Sequence, residues 1–173
     1  QKPDLNLILS YCKRDSKTVC GDKKLIGGVN CVAESAYHEM LSTKMRYGKT
    51  DGRMFYHLVQ SFSPEENITP ETAHEIALKF AEREFPEYEV LVATHTDKAH
   101  IHSHFIINSV SCESGYKLRP PKDFIAGLRN ASDKLCTEYG LSVLRPSTKQ
   151  EKVQQMSSKE YRSAVRGESY KMQ

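Results

Sequence analysis

His95-Thr96-Asp97-Lys98-Ala99-His100-Ile101-His102-Ser103-His104-Phe105-Ile106-Ile107-Asn108 carries four of the chain's seven histidines. Val90 to Thr94 is a β-rich run and His102 to Val110 is another, so the stretch reads as a hairpin with a tight turn at Lys98-Ala99. In that register Asp97 faces His100 and His95 faces His102. Antiparallel partners share a face and side chains alternate with period two. Asp97, His95, His100, His102 and His104 therefore project from one side of the ribbon, while Ile101, Phe105 and Ile107 take the other side, towards a core. Opposed Cβ atoms lie about 4.5–5.5 Å apart and diagonal ones roughly 7–8 Å, near enough for three imidazoles to share one divalent cation.

A lone strand histidine usually packs or is solvated. Four at alternate positions on one face are costly to bury unless something coordinates them. Nitrogen ligands alone are compatible with zinc, manganese, nickel or cobalt. Three ligands with open positions make a working site, where a closed tetrahedral one is structural. Asp97 reads as the group that orients a ligand histidine by accepting from its far N–H.

His-x-Asp, then His-x-His, then Phe-Ile-Ile-Asn resembles the third motif of conjugative relaxases, the mobilisation nucleases of the HUH endonuclease superfamily, in their MOBP-like branch. Upstream, Phe55-Tyr56-His57-Leu58-Val59-Gln60-Ser61-Phe62-Ser63-Pro64 resembles that family's second motif, a strand ending in a Ser, here Ser61, that lies close to DNA. The similarity covers roughly residues 5 to 145. It implies one divalent cation, manganese or magnesium, held by His95, His102 and His104. Ser103 departs from the pattern, since the residue between the paired histidines is usually hydrophobic. His100-Ile101-His102 fits that pattern better, so the pair is either His102/His104 or His100/His102.

Such enzymes cut one DNA strand with a tyrosine near the N-terminus, and Tyr11 fits that place. Asp4 can cap a helix whose apolar stripe is Leu5, Ile8, Leu9 and Cys12. Tyr11 falls off that stripe, so it can face a cleft. Tyr37 and Tyr47 are weaker candidates. A phenol titrates near about 10 and is a weak nucleophile at neutral pH; a divalent cation polarises the phosphate it attacks. The general base is open between His100, Asp97 through water, and solvent. The resemblance further implies single-stranded or hairpin DNA at an origin of transfer as substrate, an accessory DNA-binding protein and a coupling protein as partners, and a bacterial cytoplasmic setting.

At 173 residues a single core is expected. No apolar run approaches 20 residues, which excludes a membrane-spanning helix and membrane insertion by that route, and no signal peptide is visible. Cys12, Cys20, Cys31, Cys112 and Cys136 are an odd number without C-x-x-C pairs, and read as reduced thiols. The first residue is Gln, so the chain reads as an excised domain.

The expected walk is helix from Asp4 to Arg14, polar loop from Asp15 to Lys24, short strand from Leu25 to Cys31 and helix from Val32 to Tyr47. A strand follows from Met54 to Phe62. Thr69-Pro70 then caps a helix with stripe Ala73, Ile76, Ala77, Phe80 and Ala81. After the hairpin come a short strand at Tyr116 to Arg119, a helix from Lys122 to Tyr139 and an edge strand at Leu141 to Leu144. The class is α+β: a central antiparallel, palm-like sheet with helices packed on one face.

Net charge is only +3, so composition alone does not announce a nucleic-acid binder. Lys117, Arg119, Lys122 and Arg129 follow the hairpin. Residues 146–173 are expected to form a basic, helical segment that contacts DNA beyond the 1–145 nuclease domain; there Lys159, Arg162 and Arg166 are interleaved with Tyr161 and Tyr170. Basic groups contact phosphates and aromatic rings stack on unpaired bases. Arg46, Lys49 and Arg53 form a less specific third group. The alternatives are a rolling-circle replication initiator, a metal-dependent phosphodiesterase using water, and a non-catalytic metal-containing DNA-binding module.

Overall fold

Residues 4–143 are described by the computed structural model of this chain. In chain order they form α1 (Leu5–Cys12), α2 (Asp15–Thr18), β1 (Val19–Cys20), β2 (Lys23–Lys24), β3 (Ile26–Val29), α3 (Ala36–Arg46), β4 (Phe55–Ser61), α4 (Pro70–Glu84), β5 (Val90–His95), β6 (His102–Asn108) and α5 (Phe124–Glu138). Strands β3-β5-β6-β4 make the central sheet in that order. Every neighbouring pair is antiparallel. The α+β class and the antiparallel palm are as the sequence leads one to expect.

The two central strands are built of Val, Leu, Ala, Phe and Ile on both faces, and period two sends them alternately up and down. Val90, Val92, Phe105 and Ile107 meet the α4 stripe of Ala73, Ile76, Ala77, Phe80 and Ala81, together with Leu128 and Leu135 of α5. Leu91, Ala93 and Ile106 meet Leu5, Leu9 and Cys12 of α1 and Ala36 and Met40 of α3 on the opposite face. Helices therefore cover both faces rather than one, because a strand apolar on both sides must exclude water from both.

α1 is only eight residues long, too short to persist in water without tertiary support. The Asp4 carboxylate accepts from Asn6 N and Leu7 N at 2.8 and 3.1 Å, a cap worth about 1 kcal/mol. Burial of Leu5, Leu9 and Cys12 holds the helix on the sheet. α3 continues its buried stripe, Ala36 and Met40, into Lys44, also fully buried. The Lys44 ammonium donates to Asn108 Oδ1 and, at 2.8 Å, to Ser109 Oγ. Asn108 Nδ2 in turn donates to Glu89 Oε2 at 2.5 Å. Burial pulls Lys44 down to about 8, against the opposing pull of Glu89.

Three local expectations change. The polar loop at 15–24 contains α2 and the small β1–β2 ribbon. The strand foreseen at Tyr116 to Arg119 is a single bridge, Val110 with Lys117. No strand forms at 141–143: Leu141 N donates to the Cys136 carbonyl at the end of α5 and Ser142 N to the Glu66 carboxylate. Leu144 and the basic segment 146–173 lie outside the described residues. Among the described residues no helix is long and apolar enough to cross a membrane.

Candidate metal centre

The β5–β6 register sets His95 opposite His102 and Ala93 opposite His104. One donor atom from each of His95, His102 and His104 lies within 4.8 Å of the other two. Their ring centroids are 4.3 Å (His95–His104), 5.1 Å (His102–His104) and 5.2 Å (His95–His102) apart.

The second nitrogen of each ring is already engaged. His95 Nε2 lies 2.9 Å from the Cys12 carbonyl oxygen, which can only accept, so Nε2 carries the proton and Nδ1 the lone pair. That Nδ1 is buried without a partner among the described residues, a loss of about 1–3 kcal/mol if nothing meets it. His102 Nδ1 lies 3.3 Å from the His100 carbonyl and donates to it by the same argument. His104 Nδ1 faces His57 Nε2 at 2.8 Å. Three imidazoles with their outer nitrogens held by a carbonyl, a carbonyl and a histidine present three inward lone pairs, the arrangement that orients metal ligands. Burial lowers His95, and pulls His104 down to about 3 with help from the charges of His95, His57 and His102. His95 and His104 are thus held towards the neutral form that ligands must take. The residues fit a divalent cation with open coordination positions.

His57 is the residue that sequence reading passed over. It stands in the Phe55–Ser61 strand, where β4 pairs with β6 and Val59 lies opposite His104, so His57 reaches His104 diagonally. Its sequence sign was its place within the quoted Phe55 to Pro64 stretch, on a strand of alternating residues. His57→Ala is expected to lower Mn²⁺ affinity about 10–100-fold, as loss of an outer partner does, with an unchanged melting temperature in chelator. Calorimetric titration with Mn²⁺ checks it, and unaltered affinity would remove His57 from the centre.

Tyr11, 38% exposed, stands beside the cluster. Its ring is 6.1 Å from that of His95 and 6.5 Å from that of His104. Lys17 Nζ lies 5.1 Å and the Arg14 guanidinium carbon 5.2 Å from the Tyr11 ring centre. An open cleft runs from Tyr11 along Asp4, Leu7, Ile8, Arg53, Phe55 and His57. Asp97 does not orient an imidazole: its carboxylate accepts from Lys17, which holds it below the usual carboxylate range. The reason is the α2 backbone, whose Lys17 carbonyl accepts from Thr96 N at 2.9 Å and brings the lysine to the hairpin.

His100 lies exposed in the connecting loop, its ring 5.4 Å from that of His102, outside the three-nitrogen group. Ser61 pairs with His102 on the edge strand and is exposed beside the centre. Arg129 rides on α5, whose core residues pack against the sheet face away from the histidines. Lys117 is tied to Asp51, donating to its carbonyl at 3.0 Å. Arg119 and Lys122 are exposed in the segment leading to α5. None of these four joins the cluster; among the described residues Arg14, Lys17 and Arg53 stand beside Tyr11 or its cleft. Lys159, Arg162 and Arg166 lie outside the described residues.

The relaxase family's MobA/VirD2-like nuclease domain matches residues 11–141. "Protein rlx" of Staphylococcus aureus is 41% identical over 121 residues, 70% of this chain and 38% of that protein. A second Staphylococcus aureus "Protein rlx" is 40% identical over 116 residues, 67% of this chain and 36% of that protein. The "Group II intron-interrupted relaxase LtrB" of Lactococcus lactis subsp. cremoris (strain MG1363) is 35% identical over 113 residues, 57% of this chain and 20% of that protein. The chain spans under two fifths of the length of the staphylococcal relatives. No solved structure matches. A match that runs from Tyr11 through the histidine hairpin to the end of α5 takes in the whole centre, and the chain belongs to the relaxase family as a MobA/VirD2-like nuclease domain.

Proposed function

We propose that this domain nicks one strand of DNA at an origin of transfer by transesterification, with Tyr11 as nucleophile and His95, His102 and His104 as ligands of one divalent cation, Mn²⁺ or Mg²⁺. The observation that carries the reading is the half-exposed Tyr11 ring against two of three histidines whose free lone pairs converge. When bound, the cation polarises the scissile phosphate and neutralises charge on its oxygens.

Tyr11 Oη bonds to phosphorus in line as the bond from phosphorus to the 3′ oxygen breaks. The electron pair leaves with that oxygen, which takes up a proton to become a free 3′-hydroxyl, and the 5′-phosphate stays on the tyrosine. Lys17, steadied by Asp97, places positive charge against the ring as the phenol gives up its proton. Because Lys17 weakens Asp97 as a base, exposed His100 or solvent is the better proton acceptor. Arg14 and Arg53 sit where the strand's phosphates pass the cleft, and Ser61 beside His102. The phosphotyrosine ester conserves the bond energy, so a 3′-hydroxyl can reverse the step. In the conjugative setting, an accessory DNA-binding protein, a coupling protein and the bacterial cytoplasm complete the picture.

The test is incubation with Mn²⁺ and a labelled single-stranded oligonucleotide carrying the element's own transfer origin, resolved on a denaturing protein gel. A labelled band at the protein's position, with an equal amount of shortened DNA bearing a 3′-hydroxyl, is the expected result. Shortened DNA without a protein band would replace tyrosine attack by hydrolysis, and intact DNA would overturn the nicking activity.

A further inference from the structure

A second set of ligand atoms meets on the same sheet face. Cys12 Sγ, His57 and His104 each offer an atom within 4.8 Å of the others. The nitrogen of His104 that faces this group is Nδ1, the atom 2.8 Å from His57 Nε2; the first group uses the far side of the same ring. We propose that Cys12, His57 and His104 form a second cation site, selective for thiophilic divalent ions with zinc as occupant, and that filling it excludes the cation held by His95, His102 and His104.

This inference rests on the reading of the three-histidine centre given above. Selectivity follows from the donors. The thiolate is the donor that sets the two sites apart, since a soft sulfur ligand suits zinc and not manganese or magnesium. Three protein ligands leave a fourth position open for water. Little has to move. Bonds of about 2.0–2.1 Å in tetrahedral zinc place two ligand nitrogens about 3.3 Å apart, so the facing pair must open by roughly half an ångström. His57 stands exposed on the edge strand β4 and has room to give way.

Exclusion follows from the proton count. A neutral imidazole has one proton and one lone pair. In the three-histidine centre His104 donates from Nδ1 to His57 and offers the Nε2 lone pair inward. Coordination through Nδ1 moves that proton to Nε2 and removes the inward lone pair. The thiol proton of Cys12 is released to solvent as the zinc–sulfur bond forms, with no change of oxidation state. Cys12 directly follows Tyr11 and its carbonyl holds His95. Zinc would therefore seat at the back of the nucleophile and silence the site.

The probe is Co²⁺, titrated into reduced, metal-free protein and followed by absorbance. The expected result is a thiolate-to-cobalt charge-transfer band in the near ultraviolet that saturates with one equivalent, falls as Mn²⁺ is added, and is lost in both Cys12→Ser and Cys12→Ala. The zinc concentration that halves the Mn²⁺-dependent DNA adduct should rise at least tenfold in the same variants. No band in the wild type, or an equal band in both variants, overturns the site. A band that persists once Mn²⁺ has saturated the protein overturns the exclusion. The band reports sulfur coordination alone, so it stands or falls independently of whether the protein nicks DNA; Mn²⁺ binding followed by electron paramagnetic resonance tests the three-histidine centre separately.

Discussion

Tyr11→Phe is expected to abolish the covalent protein–DNA product, by at least about a thousandfold, the scale on which loss of an activated nucleophile is felt. Binding of the same oligonucleotide should be unchanged. The substitution removes one hydroxyl and nothing else. The phenyl ring keeps its edge contacts with His95 and His104 and remains under Arg14 and Lys17. α1 stays anchored by Leu5, Leu9 and Cys12, none of which touches the change. Denaturing gels measure the adduct and fluorescence anisotropy the binding. Cleavage at the wild-type rate would assign the attack to water. Persistence of the adduct would move it to another tyrosine, and the described alternatives are poorly placed. The Tyr47 hydroxyl donates to the Glu113 carbonyl at 2.9 Å, and Tyr37 packs with the α1–α3 core beside His38.

His104→Ala should have the next largest effect, and in two opposite directions. It deletes an inward ligand, so Mn²⁺ affinity should fall by more than the about 10–100-fold that loss of an outer partner causes, and the adduct should disappear with it. Stability without metal should respond in the other sense as the solution is acidified. His104 is held at about 3 in the folded chain, mainly by burial, against an ordinary value near about 6.5. Between those values the unfolded chain binds a proton that the folded chain refuses, so stability falls as pH drops below the unfolded value. Thermal melts in chelator at about pH 7 and about pH 5 should therefore show a steeper loss for the wild type than for His104→Ala. The variant also leaves a small cavity, which lowers both of its melting points, so the slopes carry the comparison. Equal slopes would mean that His104 takes up its proton in the folded chain as readily as in the unfolded one.

His95 and His104 are buried and His102 is half-buried. Three imidazoles on an otherwise apolar sheet face, one with an unpartnered buried nitrogen, detract from the metal-free protein. A cation that binds only the folded chain would return that stability by mass action.

Much of this was legible along the chain, where the determinants are local. The alternation from His102 to Ile107 both identifies a strand and assigns its faces, so pairing His95 with His102 needed only the turn between them. The 3.6-residue stripe of α4 names its buried residues directly, and Thr69 caps it, accepting from Thr72 N at 3.1 Å. Asp4 marks the start of α1 in the same way. Lys44 was opaque for the converse reason: a lysine in a helix reads as solvated, and only Asn108 and Ser109, more than sixty residues away, make its burial tolerable. Nearness in sequence does not bring Arg129 to the histidines, because α5 packs on the other face of the sheet.

The amino-acid sequence by itself determined the hairpin, its face of histidines and the tyrosine-bearing helix, since period, cap and turn act over a few residues. Only the tertiary structure decided which nitrogens point inward. His57 reaches His104 through the β4–β6 register, Cys12 meets His95 because α1 crosses the β5–β6 face, and Lys17 meets Asp97 across eighty residues. Those contacts depend on how separate elements pack, and no local period encodes the distance between strands that are far apart in the chain.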